Sequence, residues 1–171
     1  MKSTTRFTVR YRRKRESKTN YRKRLELLKG KTDRLVIRKT NTQVIMQIVR
    51  YHEDGDKVLI TTQSNELAKK GWKHSCKNIP ATYLAGMLIA QKAKAAGLTK
   101  VIPDLGLQTP LKGSKLFAAI KGAIDNGLEM NAGEEIFPSD NRINGAHIAG
   151  YLENHKTISQ DFEKLKKELA K

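Results

Sequence analysis

The sequence predicts an α/β (α+β) fold. Its sheet is mixed, an antiparallel three-strand meander plus one parallel strand, with helices packed on it and an extended basic N-terminal arm. Three observations carry this. Runs rich in β-branched residues follow one another at 34–40, 43–51 and 57–63, with turn signals between them. Two long apolar-striped helical segments come later and flank a short aliphatic run at 100–106. Charge is segregated: residues 1–39 hold 16 Lys or Arg against 3 Asp or Glu, which is +13 of the net +17 carried by all 171 residues. Three parts are expected: a basic arm with a short helix (1–30), a globular α/β domain (31–156) and a C-terminal helix (157–171).

The arm opens the chain. From Arg6 to Arg24 it sets Arg6, Arg10, Arg12, Arg13, Lys14, Arg15, Lys18, Arg22, Lys23 and Arg24 against one acid, Glu16. Such a stretch buries too little apolar surface to offset its ordering entropy, so alone it is expected to be disordered. Phe7, Tyr11 and Tyr21 stand among the cations. A polyanion would order it: cations take phosphates, and rings and guanidinium planes stack on bases. The arm has no Leu, Ile or Trp to sink into a bilayer, and no run of 18 apolar residues occurs, which disfavours membrane partners. The N-terminus lacks the apolar stretch of a signal peptide. Cys76 is the single cysteine, so no intrachain disulfide forms and the reducing cytoplasm is the expected setting.

After the arm, residues 20–29 read as a short helix capped by Asn20 and stopped by Gly30, with Leu25 and Leu28 toward the body. Asn41-Thr42 and Asp54-Gly55 supply the two hairpin turns. In the middle strand Val44, Met46 and Ile48 share an apolar face, while Ile45 and Val49 share a mixed face with Gln43 and Gln47. Helices are expected on the apolar face, with part of the mixed face accessible. Residues 64–77 form a polar link holding Trp72, His74 and Cys76. The last two make no zinc site, lacking a second Cys/His pair.

Asn78-Ile79-Pro80 opens a long helix reaching about Ala96 and stopped by Gly97. Leu84, Met87, Leu88 and Ala95 form its stripe, and Ala81, Ala85, Gly86 and Ala90 allow close packing on a sheet. Residues 100–106 supply the parallel strand, shortened or placed at an edge by Pro103. Asp104 at its end has a structural or capping role. Ser114 caps a second long helix striped by Leu116, Phe117, Ile120 and Ile124 and stopped by Gly127. The loop Lys112-Gly113-Ser114-Lys115 is not a nucleotide-binding P-loop, but two cations, a glycine and a hydroxyl at a helix N-terminus suit a phosphate. Ser139 or Asp140 caps a helix through Leu152 with Ile143, Ala146 and Tyr151 inward. His147 and His155 read as surface or boundary residues. Thr157 and Gln160 form a capping box for a terminal helix striped by Ile158, Phe162, Leu165 and Leu169, docked on the body or on a partner.

The stretches RYRRKRESKTNYRKRLELL (10–28), RLVIRKTNTQVIMQIV (34–49), NIPATYLAG (78–86), DLGLQTPLKGSKLFAAIKGAIDNGLE (104–129) and EEIFPSDNRINGAHIAGYL (134–152) together resemble, in order, the L-eighteen family of 5S-rRNA-binding large-subunit ribosomal proteins, most closely its archaeal form. Ser17 departs from that pattern, where glycine is usual, as does Asn20, where aspartate is usual. The resemblance implies a ribosomal scaffold, not an enzyme, with no cofactor and no metal. Its implied partners are 5S rRNA, 23S rRNA and neighbouring large-subunit proteins of the central protuberance. RNA contacts carry over to Arg10, Tyr11, Arg12, Arg13, Lys14 and Arg15, to Tyr21, Arg22 and Arg24, to Arg38, Lys39 and Asn41, and to the basic loop Lys112, Gly113, Ser114 and Lys115. Arg6 and Lys18 join them as cations of the same arm. Two rival readings stand beside this one. An RNA-processing enzyme would need Asp104 with Asp140 or Glu135. A general nucleic-acid-binding protein would need only the arm.

Overall fold

The computed structural model describes residues 8–170. Four strands form one sheet in the order β3-β2-β1-β4: β1 Arg34–Lys39, β2 Val44–Arg50, β3 Lys57–Gln63 and β4 Ile102–Asp104. β1 and β2 pair antiparallel with Ile37 opposite Met46, and β2 and β3 pair antiparallel with an irregularity at Ile48/Val49. β4 runs parallel to β1, Val36 facing Asp104. Pro103 cannot donate to a ladder, and β4 is accordingly three residues long and at the edge. The alternation read from sequence holds: Leu35, Ile37, Val44, Met46 and Ile48 are buried on one face.

Eight α-helical segments, three of them single turns, and two short 3-10 turns complete the described chain. α1 (Arg12–Arg15) is one turn inside the arm, where an extended segment was expected. α2 spans Tyr21–Lys29 and α3 Glu66–Lys69. α4 (Ile79–Ala95) and α5 (Lys115–Asp125) cover the buried face of the sheet, and α8 (Ile158–Leu169) packs on α4 from outside. α6 (Asp140–Ile143) and α7 (Ala146–Tyr151) lie between. The capping readings for α2 and α4 hold: Asn20 accepts from the Lys23 amide at 3.1 Å, and Asn78 from the Ala81 amide at 2.8 Å. The α8 stripe Ile158, Phe162, Leu165 and Leu169 is buried in the core. At roughly 1.5–3 kcal/mol per fully buried side chain, that decides docking on the body.

Several expectations need correction. Leu25 is 59% exposed, and the half-buried side of α2 carries Arg24, Leu27 and Leu28 instead. Ala95 is exposed and Ala93 takes its place in the core, since the last turn of α4 runs beyond the sheet. Residues 140–152 are not one helix. Gly145, at φ 80° against Pro80 and Ile158, breaks them into α6 and α7 and resets the helical phase. Ile143 stays inward, but Ala146 is exposed and Tyr151 is 86% exposed. The Thr157 capping box does not form: Thr157 is itself helical and its side chain makes no cap bond.

Gly86 packs on α5, not on the sheet. A Cβ there would collide with the Ala119 carbonyl, and one at Gly122 with the Tyr83 carbonyl. The two glycines let α4 and α5 run side by side in parallel with their backbones in contact. Gly86→Ala and Gly122→Ala are expected to lower unfolding free energy by about 2 kcal/mol or more in urea titrations, by overpacking against rigid backbone. Gly133→Ala, with open space around it and ordinary φ, should stay within about 0.5 kcal/mol of wild type.

Candidate nucleic-acid interface

The second face of the sheet carries Arg34, Val36 and Arg38 from β1, Gln47 and Val49 from β2 and Val58 from β3. α2 lies over one end of it, and between them runs a groove of about 940 Å³. Arg13, Lys18 and Lys23 line its arm side, Arg38 and Lys39 its sheet side, and Val36, Val49 and Val58 its floor. Gln108 closes the β4 side by donating to the Ile37 carbonyl at 2.7 Å.

An ion network anchors the groove. Arg34 is 2% exposed and donates to Asp104 at 2.9 Å and to Asp56 at 2.7 Å. Asp56 also accepts both arms of the Arg24 fork, at 2.9 and 2.8 Å. Buried charges persist only when paired, and here two guanidinium groups meet two carboxylates. The Arg24 hydrogen bonds, helped by Arg34 and opposed by burial, hold the Asp56 carboxyl below its ordinary range. Asp104 further accepts from the Gly106 amide at 2.9 Å, matching the structural role read for it.

A second basic site lies where β1 ends. α4 and α5 are parallel, so their N-termini sit together at that end. Lys39, Lys77 and Lys115 come near one another there: burial, then Lys77 and Lys39, push the Lys115 ammonium below its ordinary value. Gly113 takes φ 68° and donates to the Ile136 carbonyl at 2.9 Å, which folds the loop over α5. Ser114 is at the N-cap as predicted, but its buried hydroxyl makes no cap bond. Cations beside two helix N-termini favour an anion.

Of the residues named from sequence, Arg6 and its neighbour Phe7 lie outside the described residues. Arg10, Tyr11, Arg12, Arg13, Lys14 and Arg15 are exposed. Tyr11 and Tyr21 approach with ring centroids 5.1 Å apart, and Arg13 donates to Thr19 at 2.8 Å. Arg12 and Lys18 share Glu16, at 3.5 and 2.9 Å. Arg22, Arg38, Lys39 and Asn41 face solvent. The structure gathers Arg13, Lys18, Arg38 and Lys39 on one groove. Arg24 it turns toward Asp56, Lys115 it places near Lys39 and Lys77, and Lys112 it pairs with Glu135 at 3.7 Å.

Sequence reasoning missed Lys77 and Asp56. Lys77 was findable: it precedes an N-cap, the same pattern read at 112–115. His74 is also more than a link residue. It meets His155 at 2.9 Å and Asp161 at 3.0 Å, tying the segment after α3 to α8. Among the described residues no group of three or more His, Cys, Asp or Glu is arranged to hold a metal ion. No described helix is long and apolar enough to cross a membrane.

Residues 5–99, which include the arm, β1–β3 and α4, match the family described as "Ribosomal large subunit proteins 60S L5, and 50S L18". The chain is 45% identical over 153 residues to large ribosomal subunit protein uL18 of Korarchaeum cryptofilum, covering 90% of this chain and 78% of that one. It is 43% identical over 174 aligned positions to large ribosomal subunit protein uL18 of Methanoregula boonei, covering 99% and 100%.

A depressed carboxylate stabilises the fold above its unfolded-state pKa, and that stability is lost as pH falls through the folded value. The stability difference between wild type and Asp56→Asn is therefore expected to be full at pH 7 and to shrink below about pH 4. Urea unfolding across that range checks it. A difference that persists unchanged to low pH would show that the Asp56 charge is not what the two arginines hold.

Proposed function

The chain belongs to the family of large-subunit ribosomal proteins that comprises 60S L5 and 50S L18, and from that membership we propose that it binds 5S rRNA and attaches it to 23S rRNA in the central protuberance. As a member it is a structural constituent of the large subunit of the cytoplasmic ribosome, not an enzyme, and its partners are rRNA and ribosomal proteins. The groove carries the finer reading. It joins arm cations Arg13 and Lys18 to the hairpin cations Arg38 and Lys39 across a partly apolar floor.

The mechanism follows from that geometry. The body is a rigid platform, and the β1–β2 hairpin offers Arg38, Lys39 and Asn41 at its tip. The arm lies along RNA, with Arg10, Arg12, Arg13, Lys14, Arg15, Lys18 and Arg22 on phosphates and Tyr11 and Tyr21 available for stacking. The lysine site at the helix N-termini takes a further backbone phosphate. Most contacts go to phosphate and 2′-hydroxyl groups, so shape is read more than sequence. Of the carboxylates an enzyme would need, Asp104 is taken up by Arg34, and Asp140 and Glu135 are exposed surface acids beside Lys121 at 3.1 Å and Lys112 at 3.7 Å.

The test is a competition titration of labelled 5S rRNA against excess tRNA and duplex DNA near 0.15 M salt. The complex should survive both competitors; equal displacement by all three would make the chain a nonspecific polycation. If about 6–10 phosphates are neutralised, affinity should fall roughly 10³–10⁵-fold between 50 and 200 mM salt. Arg12, Arg13 and Arg15 replaced together by Ala should weaken binding sharply and leave thermal unfolding of the body nearly unchanged. An equal loss of stability would make the arm structural.

A further inference from the structure

Asp56 is an acid set inside the most basic face of the chain. Simple electrostatics says that it opposes a polyanion there, and that removing it should tighten binding. The geometry says otherwise. α2 has no fully buried residue. Its hold on the body rests on half-buried Leu27 and Leu28, on the Lys23 ammonium donating to the Gly106 carbonyl at 3.2 Å, and on the two Arg24–Asp56 bonds at 2.9 and 2.8 Å. Only the last is a bidentate pair, which fixes orientation as well as distance. Asp56 is in turn held by Arg34 at 2.7 Å, and Arg34 by Asp104 at 2.9 Å, so the link runs from the sheet to the arm without a break.

We propose that Asp56 is a positioning residue for RNA binding: through Arg24 it sets the angle of α2 across the sheet, and so the separation of the arm cations Arg13 and Lys18 from Arg38 and Lys39 on the far side of the groove. This rests on the RNA-binding reading above. Arg24 is then a strut and not a phosphate ligand, its fork being filled by Asp56. Freed from Asp56, α2 keeps its charge but loses its register with the hairpin, and contacts made by both walls of the groove are no longer made together.

Asp54 supplies the control. It lies two residues away in the same loop, its side chain is 93% exposed, and it touches only His52 at 3.4 Å. Asp54→Asn and Asp56→Asn make the same charge change. In the 5S rRNA titration Asp54→Asn should bind as wild type or slightly tighter. Asp56→Asn should bind about tenfold more weakly, the loss of one or two placed contacts. Arg24→Lys keeps both the charge and the Arg34–Asp56–Asp104 set but loses the fork, and should weaken binding in the same direction. It keeps the inference testable where Asp56→Asn unfolds. Asp56→Asn binding as well as Asp54→Asn, or Arg24→Lys binding as wild type, would overturn the role of Asp56 alone. A wild-type chain that holds 5S rRNA no better than duplex DNA would overturn the RNA reading itself.

Discussion

A guanidinium with 2% of its surface exposed cannot stay charged inside a protein unless carboxylates surround it, and Arg34 sets that requirement at the centre of this fold. Asp104 meets it from β4 and Asp56 from the loop before β3. The two acids come from opposite sides of β1 in the sheet, so one side chain ties the parallel edge strand to the antiparallel hairpin. Asp56 then has oxygens left for Arg24, and α2 is fastened to the same point. The groove follows from this: the network fastens α2 at the Arg34 end of the sheet, beside Val49 and Val58, and the groove extends from there toward Arg38 and Lys39 at the other.

Charge is sorted over the molecule in the same spirit. Residues 122–155 hold six acids and one arginine, in a chain whose net charge is +17. Cations are densest on the arm, and others stand at the hairpin tip, beside the helix N-termini and on α8. Beside the helix N-termini burial, and after it the neighbouring Lys77 and Lys39, lower the Lys115 ammonium below its ordinary value. A fold arranged for stability alone would not collect them there. An anion bound at the site would relieve their repulsion, which is why the proposed function gives the cluster a backbone phosphate.

Much of the fold was legible in the sequence because its signals are local. Strand alternation at 34–63, the Asn20 and Asn78 caps, the glycine stops and the Pro103 limit on β4 each act within a few residues. What was illegible depends on distance in the chain or on phase. Leu25 and Tyr151 look like core residues until Arg24 rotates α2 and Gly145 resets α7. Asp56 reads as a turn acid because its partners lie 32 and 22 residues away. His74 finds His155 and Asp161 only once α8 folds back. Ser17 shows the reverse. The family resemblance marked it as standing where glycine is usual, and the structure gives it φ 50°, a backbone that glycine adopts without strain. The arm cations were chosen from composition, which named the segment correctly as basic but could not separate Arg24, turned inward, from Arg13 and Lys18, turned to the groove.

The proposed function sets RNA on the open sheet face and across the two helix N-termini, not on the α8 side. Lysine acylation with and without 5S rRNA, read by mass spectrometry, tests it most directly. Lys18, Lys39, Lys77 and Lys115 should lose reactivity in the complex, while the exposed Lys156, Lys164 and Lys167 at the C-terminal helix keep theirs. Protection of the C-terminal lysines with Lys39, Lys77 and Lys115 still reactive would contradict the account and place the RNA on the opposite side of the molecule.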